Sequence, residues 1–329
     1  MSDPMALSQA RSRAYALFSE LLLDGVRAER TAKLEAIPVL AEALQAVPAE
    51  GAADELAAAH HHLFAFEVPP HQGVFLDPEG LVGGDEAEAV MAVLESAGFH
   101  GRRRDTTSDH LGVILGGLSF LTGAVADAQR DGQATSAATV EARLREVMDG
   151  QLLRWLPAFA VAAARSLGAG PAPAFWGVVL DLIVATIADH RASLGELPLE
   201  VPPLPDAPAL LDDPSTGLRR IAHHLATAAL TGSHLGRGDI AALGRGVDLP
   251  HGFGSRVDML EHVLRAAADY DAFPAAVAKL RATLESHRAA LEGLAAIHAP
   301  LAPWTGPWET RLRETDGVLA RLEAPPVDA

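Results

Sequence analysis

Asp109 and His110 stand side by side immediately before an apolar run that opens at Leu111. A carboxylate next to an imidazole can move a proton, cap a helix or hold a cation. Spacing alone favours the cap, because Thr106 with Asp109 three residues later has the form of a capping box. The alternative is an acid–imidazole pair at the edge of a groove, where the carboxylate meets an arginine of a bound peptide. A second stretch, Leu63-Phe64-Ala65-Phe66-Glu67-Val68-Pro69-Pro70-His71-Gln72-Gly73-Val74-Phe75-Leu76-Asp77, also carries polar groups in an unusual setting. A helical pattern ends there and two prolines impose an extended turn. Val74-Phe75-Leu76 then follows as the one strand-like candidate in the chain. The stretch reads either as a packed interhelix loop or as a groove wall that accepts an extended peptide.

Other chemistry is excluded more easily. The chain has no cysteine, which removes disulfides, thiolate metal sites, iron–sulfur ligation and a Cys nucleophile. No Gly-Lys pair exists for a Walker A loop, no G-x-G-x-x-G follows a strand, and Gly-x-Ser-x-Gly is absent. The 14 histidines invite a metal site, yet neither His-Glu-x-x-His nor Glu-x-x-His occurs. His60-His61-His62 and His223-His224 are consecutive, so on a helix they point about 100° apart and cannot converge on one ion. Arg237-Gly238-Asp239 spells an adhesion tripeptide, read here as coincidence. No cofactor is expected.

The balance of 26 basic and 43 acidic residues gives a formal charge of −17 over 329 residues. Such a surface repels phosphate backbones and anionic lipids, and attracts partners that expose Arg or Lys. Neither nucleic-acid binding nor stable membrane insertion is expected. The N-terminal segment lacks the apolar run and small-residue cleavage site of an export signal. The apolar stretch Phe175–Ala188 contains Asp181 and reads as too short to cross a bilayer. A cytoplasmic protein is expected.

The elements that would position these groups are helical. Tyr15, Phe18, Leu21 and Leu22 recur at spacings of three and four, and similar stripes run through Leu111–Leu121, Leu152–Leu167, Phe175–Ile187, Ile221–Leu230, Val257–Ala268 and Val277–Leu294. Ser255 with Asp258 forms a second capping-box pattern before Met259. Alternating β-branched runs with hairpin turns are missing. The clearest break is Gly195–Gly217, which carries Pro198, Pro202, Pro203, Pro205, Pro208 and Pro214. An all-α fold is therefore expected, with a helical domain over 1–195, a proline-rich linker over 196–215 and a second, smaller helical unit over 216–329. Sequence leaves open whether that unit docks on the first. Helix exchange across the hinge offers a route to a homodimer.

Four segments, in order, resemble the TorD/DmsD/NarJ family of molybdoenzyme-specific chaperones. Arg13-Ala14-Tyr15-Ala16-Leu17-Phe18-Ser19-Glu20-Leu21-Leu22 is similar to the family's first helix. Phe64 to Asp77 resembles its proline-containing loop, and Ser108-Asp109-His110-Leu111 with Leu118-Ser119-Phe120-Leu121 its Asp-His-Leu helix. Trp155-Leu156-Pro157-Ala158-Phe159 and then Phe175-Trp176 resemble its late helices. The resemblance covers about residues 10–190. The part after 195 resembles the tail of longer members through Gly217–Ala222 and Leu249–Arg256.

The resemblance implies an all-helical, non-enzymatic cytoplasmic chaperone. Its partner would be a molybdoenzyme precursor: the twin-arginine signal peptide or apoprotein of a DMSO-reductase-type enzyme, held during cofactor insertion and before export. By position, Asp109 and His110 would belong to the peptide pocket, with His71, Gln72, Gly73 and Phe75 beside them. Two departures stand out: His71-Gln72-Gly73 replaces an aromatic, a small or acidic residue and Ser, and Thr106-Thr107-Ser108 replaces Glu-x-Pro. A different peptide preference, or delivery without a signal peptide, would follow from them. Two other classes remain in view: a nucleotide hydrolase using Asp109 and His110 as acid and base, and a structural subunit of a mature oxidoreductase.

Overall fold

The stripe of Tyr15, Phe18, Leu21 and Leu22 is buried along α1 (Pro4–Asp24), which lies against α7 (Leu111–Arg130). Small residues on α7 let the two backbones approach. A Cβ at Gly112 would sit 2.6 Å from Leu23 Cγ, and one at Gly123 would sit 3.3 Å from Ser12 Oγ. Hydroxyls bridge the seam: Ser12 Oγ donates to the Ser119 carbonyl at 2.9 Å, Ser119 Oγ to the Ser12 carbonyl at 2.8 Å, and Ser19 Oγ to the Gly112 carbonyl at 2.6 Å. A row of Gly and Ser thus makes a close helix pair, as ridge-into-groove packing requires when side chains are small.

The computed structural model describes residues 3–101, 105–198, 201–213, 215–250 and 252–323. Leu199, Glu200 and Pro214 of the expected linker and His251 of the tail motif lie outside the described residues. The chain is all-α, with no strand among the described residues. Between α1 and α7 come α2 (Thr31–Glu35), α3 (Pro38–Gln45), α4 (Ala52–His61), α5 (Gln72–Leu76) and α6 (Gly84–Ser96). After it come α8 (Ala134–Val147), α9 (Leu156–Ser166) and α10 (Pro171–Ser193). Two π-helical turns, His62–Glu67 and Met148–Leu152, interrupt the α geometry. Such turns occur where a backbone is re-aimed, often near functional sites.

Two expectations change here. Val74-Phe75-Leu76 is helical, within α5, because the extended geometry forced by Pro69-Pro70 ends at His71. The apolar stretches are also longer than the pattern suggested: α7 with 20 residues and α10 with 23 are long and apolar enough to cross a membrane. Their extra length comes from alanine and from polar and charged residues at the ends, such as Asp127 to Arg130 and Asp189 to Arg191, that a stripe-based reading leaves out. Both are packed in the fold, and α10 buries Phe175, Trp176, Val179, Ile183 and Ile187.

Beyond the proline-rich segment run α11 (Leu218–Ala226), α12 (Ala228–Thr231), α13 (Arg237–Arg245), α14 (Arg256–Asp269), α15 (Phe273–Ile297) and α16 (Ala302–Glu323). The Ser255–Asp258 capping box forms at the start of α14, with Ser255 Oγ accepting from the Asp258 amide at 3.1 Å. This part docks on the first: the Trp308 indole donates to the Arg154 carbonyl at 2.9 Å, and its ring meets Phe75.

Prolines interrupt the connector, which among its described residues has only the short 3-10 turn Leu210–Asp212, and two buried arginines donate to its carbonyls. Arg191 donates to the Gly195 and Glu196 carbonyls at 3.1 and 2.9 Å while pairing Asp149 through two bonds of 2.6 and 3.0 Å. Arg311 donates to the Pro205 and Ala229 carbonyls at 2.7 Å each. The guanidinium is suited to this because its fork serves several oxygens at once.

Two predictions follow from these buried polar groups. Arg191→Ala strands the Asp149 carboxylate and two carbonyls, and is expected to lower the unfolding free energy by about 3–5 kcal/mol, measured by urea denaturation. The second concerns pH. Burial, with nearby arginines adding to it, lowers the imidazole pKa to about 3 in His190 and His287, to about 4 in His224, and well below the ordinary value in His234. Below about pH 6.5 the unfolded chain takes up protons that these native rings refuse, so each subtracts up to about 1.4 kcal/mol of stability per pH unit. The urea midpoint is expected to be constant above pH 7 and to fall steeply between 6.5 and 5; a flat profile there would show the rings to be charged in the native state.

Candidate functional site

Proline has no amide proton, so Pro69 and Pro70 cannot extend the π-helical turn that closes with the Val68 amide on the Leu63 carbonyl at 2.7 Å. The chain leaves the turn extended, and its free groups find the segment before α7. The Leu111 amide donates to the Pro70 carbonyl at 2.7 Å, and the Gln72 amide to the Asp109 carbonyl at 3.0 Å. These two bonds make an isolated antiparallel bridge between His71 and His110. Residues 39 positions apart, singled out separately in the sequence, are therefore neighbours here.

Asp109 does not cap its own helix. Its carboxylate is fully buried and turns back to the loop: Oδ2 accepts from the Gly73 amide at 3.0 Å, and Oδ1 accepts from Thr107 Oγ1 and from His71 Nδ1, the latter at 3.3 Å. Burial pushes the Asp109 carboxyl up, but the hydrogen bonds from His71, Thr107 and the Gly73 amide together outweigh it and hold it below the ordinary carboxylate range. The cap of α7 is instead His110, whose Nδ1 accepts from the Gly112 amide at 3.0 Å.

The two histidines consequently carry opposite tautomers. His71 donates from Nδ1 to the carboxylate, so in its neutral form Nε2 is the acceptor; the His110 ring accepts at Nδ1 and carries its hydrogen on Nε2. The rings meet edge to face at 4.8 Å. Both line a crevice of about 500 Å³ together with His60, His61, Phe64 and Asp105. Its His60 wall is fixed from behind, by a bond between Nε2 and the Leu22 carbonyl at 3.0 Å and by Trp176, 4.8 Å away. Burial lowers the His60 pKa, so this ring is neutral at neutral pH.

The other expected residues support the crevice from below. Gln72 is fully buried, donating to Glu86 Oε2 at 2.6 Å and to Gln151 Oε1, in the second π-helical turn, at 3.1 Å. Gly73 is required by close approach, since a Cβ there would lie 2.2 Å from the Leu81 carbonyl oxygen. Phe75 is not a groove wall. It is a core residue with no exposed surface, stacked on Trp155 at 5.5 Å and bordered by Phe159, His234 and Trp308. The first turn of α5 reverses its direction inward.

Sequence reasoning passed over His60, His61 and Asp105. The three consecutive histidines do diverge, as helical geometry demands, yet two of them face the same crevice. Their position directly upstream of the proline pair was the available signal. Phe66, Leu81 and Val82 are each more than half exposed, and Val82 lines the crevice while Phe66 packs edge-on to His61 at 5.0 Å. An apolar rim of this kind marks a binding surface more often than chance. Among the described residues no group of His, Asp and Glu is placed to hold a metal ion.

Residues 28–161 match the family described as nitrate reductase delta subunit, a span that includes the prolines, the His71–His110 bridge and Trp155. The chain is also 26% identical over 189 residues to a protein named Chaperone protein TorD from Psychrobacter sp. (strain PRwf-1), an alignment covering 56% of this chain and 78% of that protein. No solved structure matches. The ordered motifs, the all-α fold and these two likenesses agree: the chain is similar to the chaperones of the TorD/NarJ family.

Proposed function

We propose that the crevice at the His71–His110 bridge holds an arginine-bearing, partly apolar segment of a molybdoenzyme precursor, in the cytoplasm, while the metallocofactor is inserted. The observation that carries this reading is the pairing of a polar, histidine-walled crevice with an exposed apolar rim on a chain of charge −17. A leader with adjacent arginines followed by an apolar stretch has the complementary order of groups. The acidic surface draws it in over long range, and salt screens part of that attraction.

At contact the recognition is short-range. His71 Nε2, an acceptor because Asp109 binds the other nitrogen, receives a guanidinium N–H, and the faces of His60, His61 and Phe64 stack on the planar cation. Asp105, lining the crevice, adds a carboxylate. Asp109 acts behind His71 rather than pairing the peptide itself, because it is buried and fully engaged. The apolar stretch that follows lies along Phe66, Leu81 and Val82. A hold built from aromatic rings and one screened carboxylate suits reversible exchange, with affinity in the micromolar range, about −8 kcal/mol.

Calorimetry with the full chain and a synthetic leader containing Arg-Arg before an apolar stretch tests this. Asp109→Asn and His110→Ala are each expected to weaken binding about tenfold, or about 1.4 kcal/mol, with helix content by circular dichroism unchanged. Replacing Arg-Arg by Lys-Lys in the peptide is expected to weaken it comparably, since an ammonium cannot stack and bond in one plane. Unchanged affinity in both protein variants would remove the site. Co-purification separates the subunit reading, because a chaperone comes down with cofactor-free precursor and a subunit with the mature oxidoreductase.

A further inference from the structure

The extended residues that carry His71 are bracketed by Glu67, at the end of the first π-helical turn, and Phe75 in α5. Both are gripped from beyond the connector. His234, between α12 and α13, sets Nε2 2.8 Å from the Glu67 carbonyl oxygen and lays its ring against Phe75, with centroids 5.4 Å apart and planes at 31°. Arg256 at the start of α14 donates to the Ala226 and Leu235 carbonyls and lies 3.3 Å from His234 Nδ1. A guanidinium only donates, so Nδ1 is the acceptor and Nε2 bears the hydrogen given to Glu67.

The Glu67 side chain is held from the same side. Its Oε2 accepts from the Gly238 amide in the first turn of α13 at 3.1 Å, and a Cβ at Gly236 would come within 2.6 Å of that oxygen. Farther along the loop, His223 pairs Glu79 at 3.2 Å. The part of the chain after the connector therefore touches the site-bearing segment at Glu67, Phe75 and Glu79, while contributing none of the residues that line the crevice.

We propose that His234 is a positioning residue of the crevice: donating from Nε2 to the Glu67 carbonyl and packing on Phe75, it fixes both ends of the segment that presents His71. Through it, the C-terminal part sets the shape of a site it does not itself form. Burial and the charge of Arg256 keep the ring neutral, so the donor and acceptor assignment is constant across the physiological range. The assignment of a role in peptide binding rests on the proposed function; the placement of the segment does not.

The full chain is compared with His234→Leu, which fills the space without a donor, and His234→Gln, which retains one. Amide exchange is read over residues 68–76 and, as an internal reference, over α7. His234→Leu is expected to speed exchange at 68–76 by about tenfold with α7 unchanged, and to weaken the leader peptide several-fold, while His234→Gln restores both to within about twofold. Equal acceleration across the chain, no acceleration, or failure of the Gln variant to restore protection overturns the proposal, since each describes an ordinary core residue. Should the Leu variant not fold, nitrogen NMR of the unmodified chain decides: a hydrogen on Nε2 from pH 6 to 8 supports the assignment, and one on Nδ1 overturns it. A leader that fails to bind the unmodified chain sinks the peptide reading alone, because the exchange measurement needs no ligand.

Discussion

Two consecutive residues without amide protons decide the architecture of the site. Pro69 and Pro70 cannot enter a helix, so the chain must run extended for a few residues between helices. Extended backbone inside a helical protein needs partners for its carbonyls and its remaining amides. Those partners are the Leu111 amide and the Asp109 carbonyl, taken from the segment that enters α7. Once this bridge forms, Asp109 is carried into the interior, where hydrogen bonds from the Gly73 amide, Thr107 and His71 sustain its charge. The tautomer of His71 and the identity of the α7 cap are consequences of the same geometry.

A second theme is the use of buried and half-buried cations to satisfy non-helical backbone. Arg191, Arg311 and Arg256 each donate to two main-chain carbonyls, and each serves a place where a helix has ended. Burying a guanidinium is costly, and unpaired carbonyls in the same place would be costly too; joining them cancels much of both penalties. In Arg256 the desolvation is strong enough to lower the pKa to about 10, which still leaves it charged at neutral pH. The proline-rich connector is consequently laid down on the body of the protein at Gly195, Glu196 and Pro205. Loss of helix hydrogen bonds along its prolines is what creates the demand.

Much of this was legible in the residues. The three- and four-residue spacing of Tyr15, Phe18, Leu21 and Leu22 gave the buried face of α1, and Ser255 with Asp258 gave the start of α14. The same motif logic failed at Thr106 and Asp109, because a capping box is a local device and Asp109 is claimed by a non-local partner, the Gly73 amide. Phe75 was misplaced for a related reason: a short apolar run after two prolines looks like a strand until the first turn of α5 rotates alternate residues inward. The convergence of His60 and His61 on the crevice, and the bond from His234 to Glu67 across 167 residues, depend on non-local contacts and leave no periodic trace.

The placement of the acidic group has a consequence for how a chaperone of this kind can work. An exposed carboxylate facing a guanidinium in water gives a weak, salt-sensitive pair, and a buried unscreened one gives a pair too costly to open. Here the negative charge sits one residue back, and the crevice is faced by an imidazole that it orients. The proposed contact is thereby a hydrogen bond to the free nitrogen of that ring, strengthened by a fixed charge behind it and solvated on its open side. Affinity is then spread over ring stacking, one oriented acceptor and an apolar rim, none of which is large alone. Under the proposed function, such a distribution lets a precursor be held by its leader and released when a competing surface covers either part of it, without any group on this chain having to change its state.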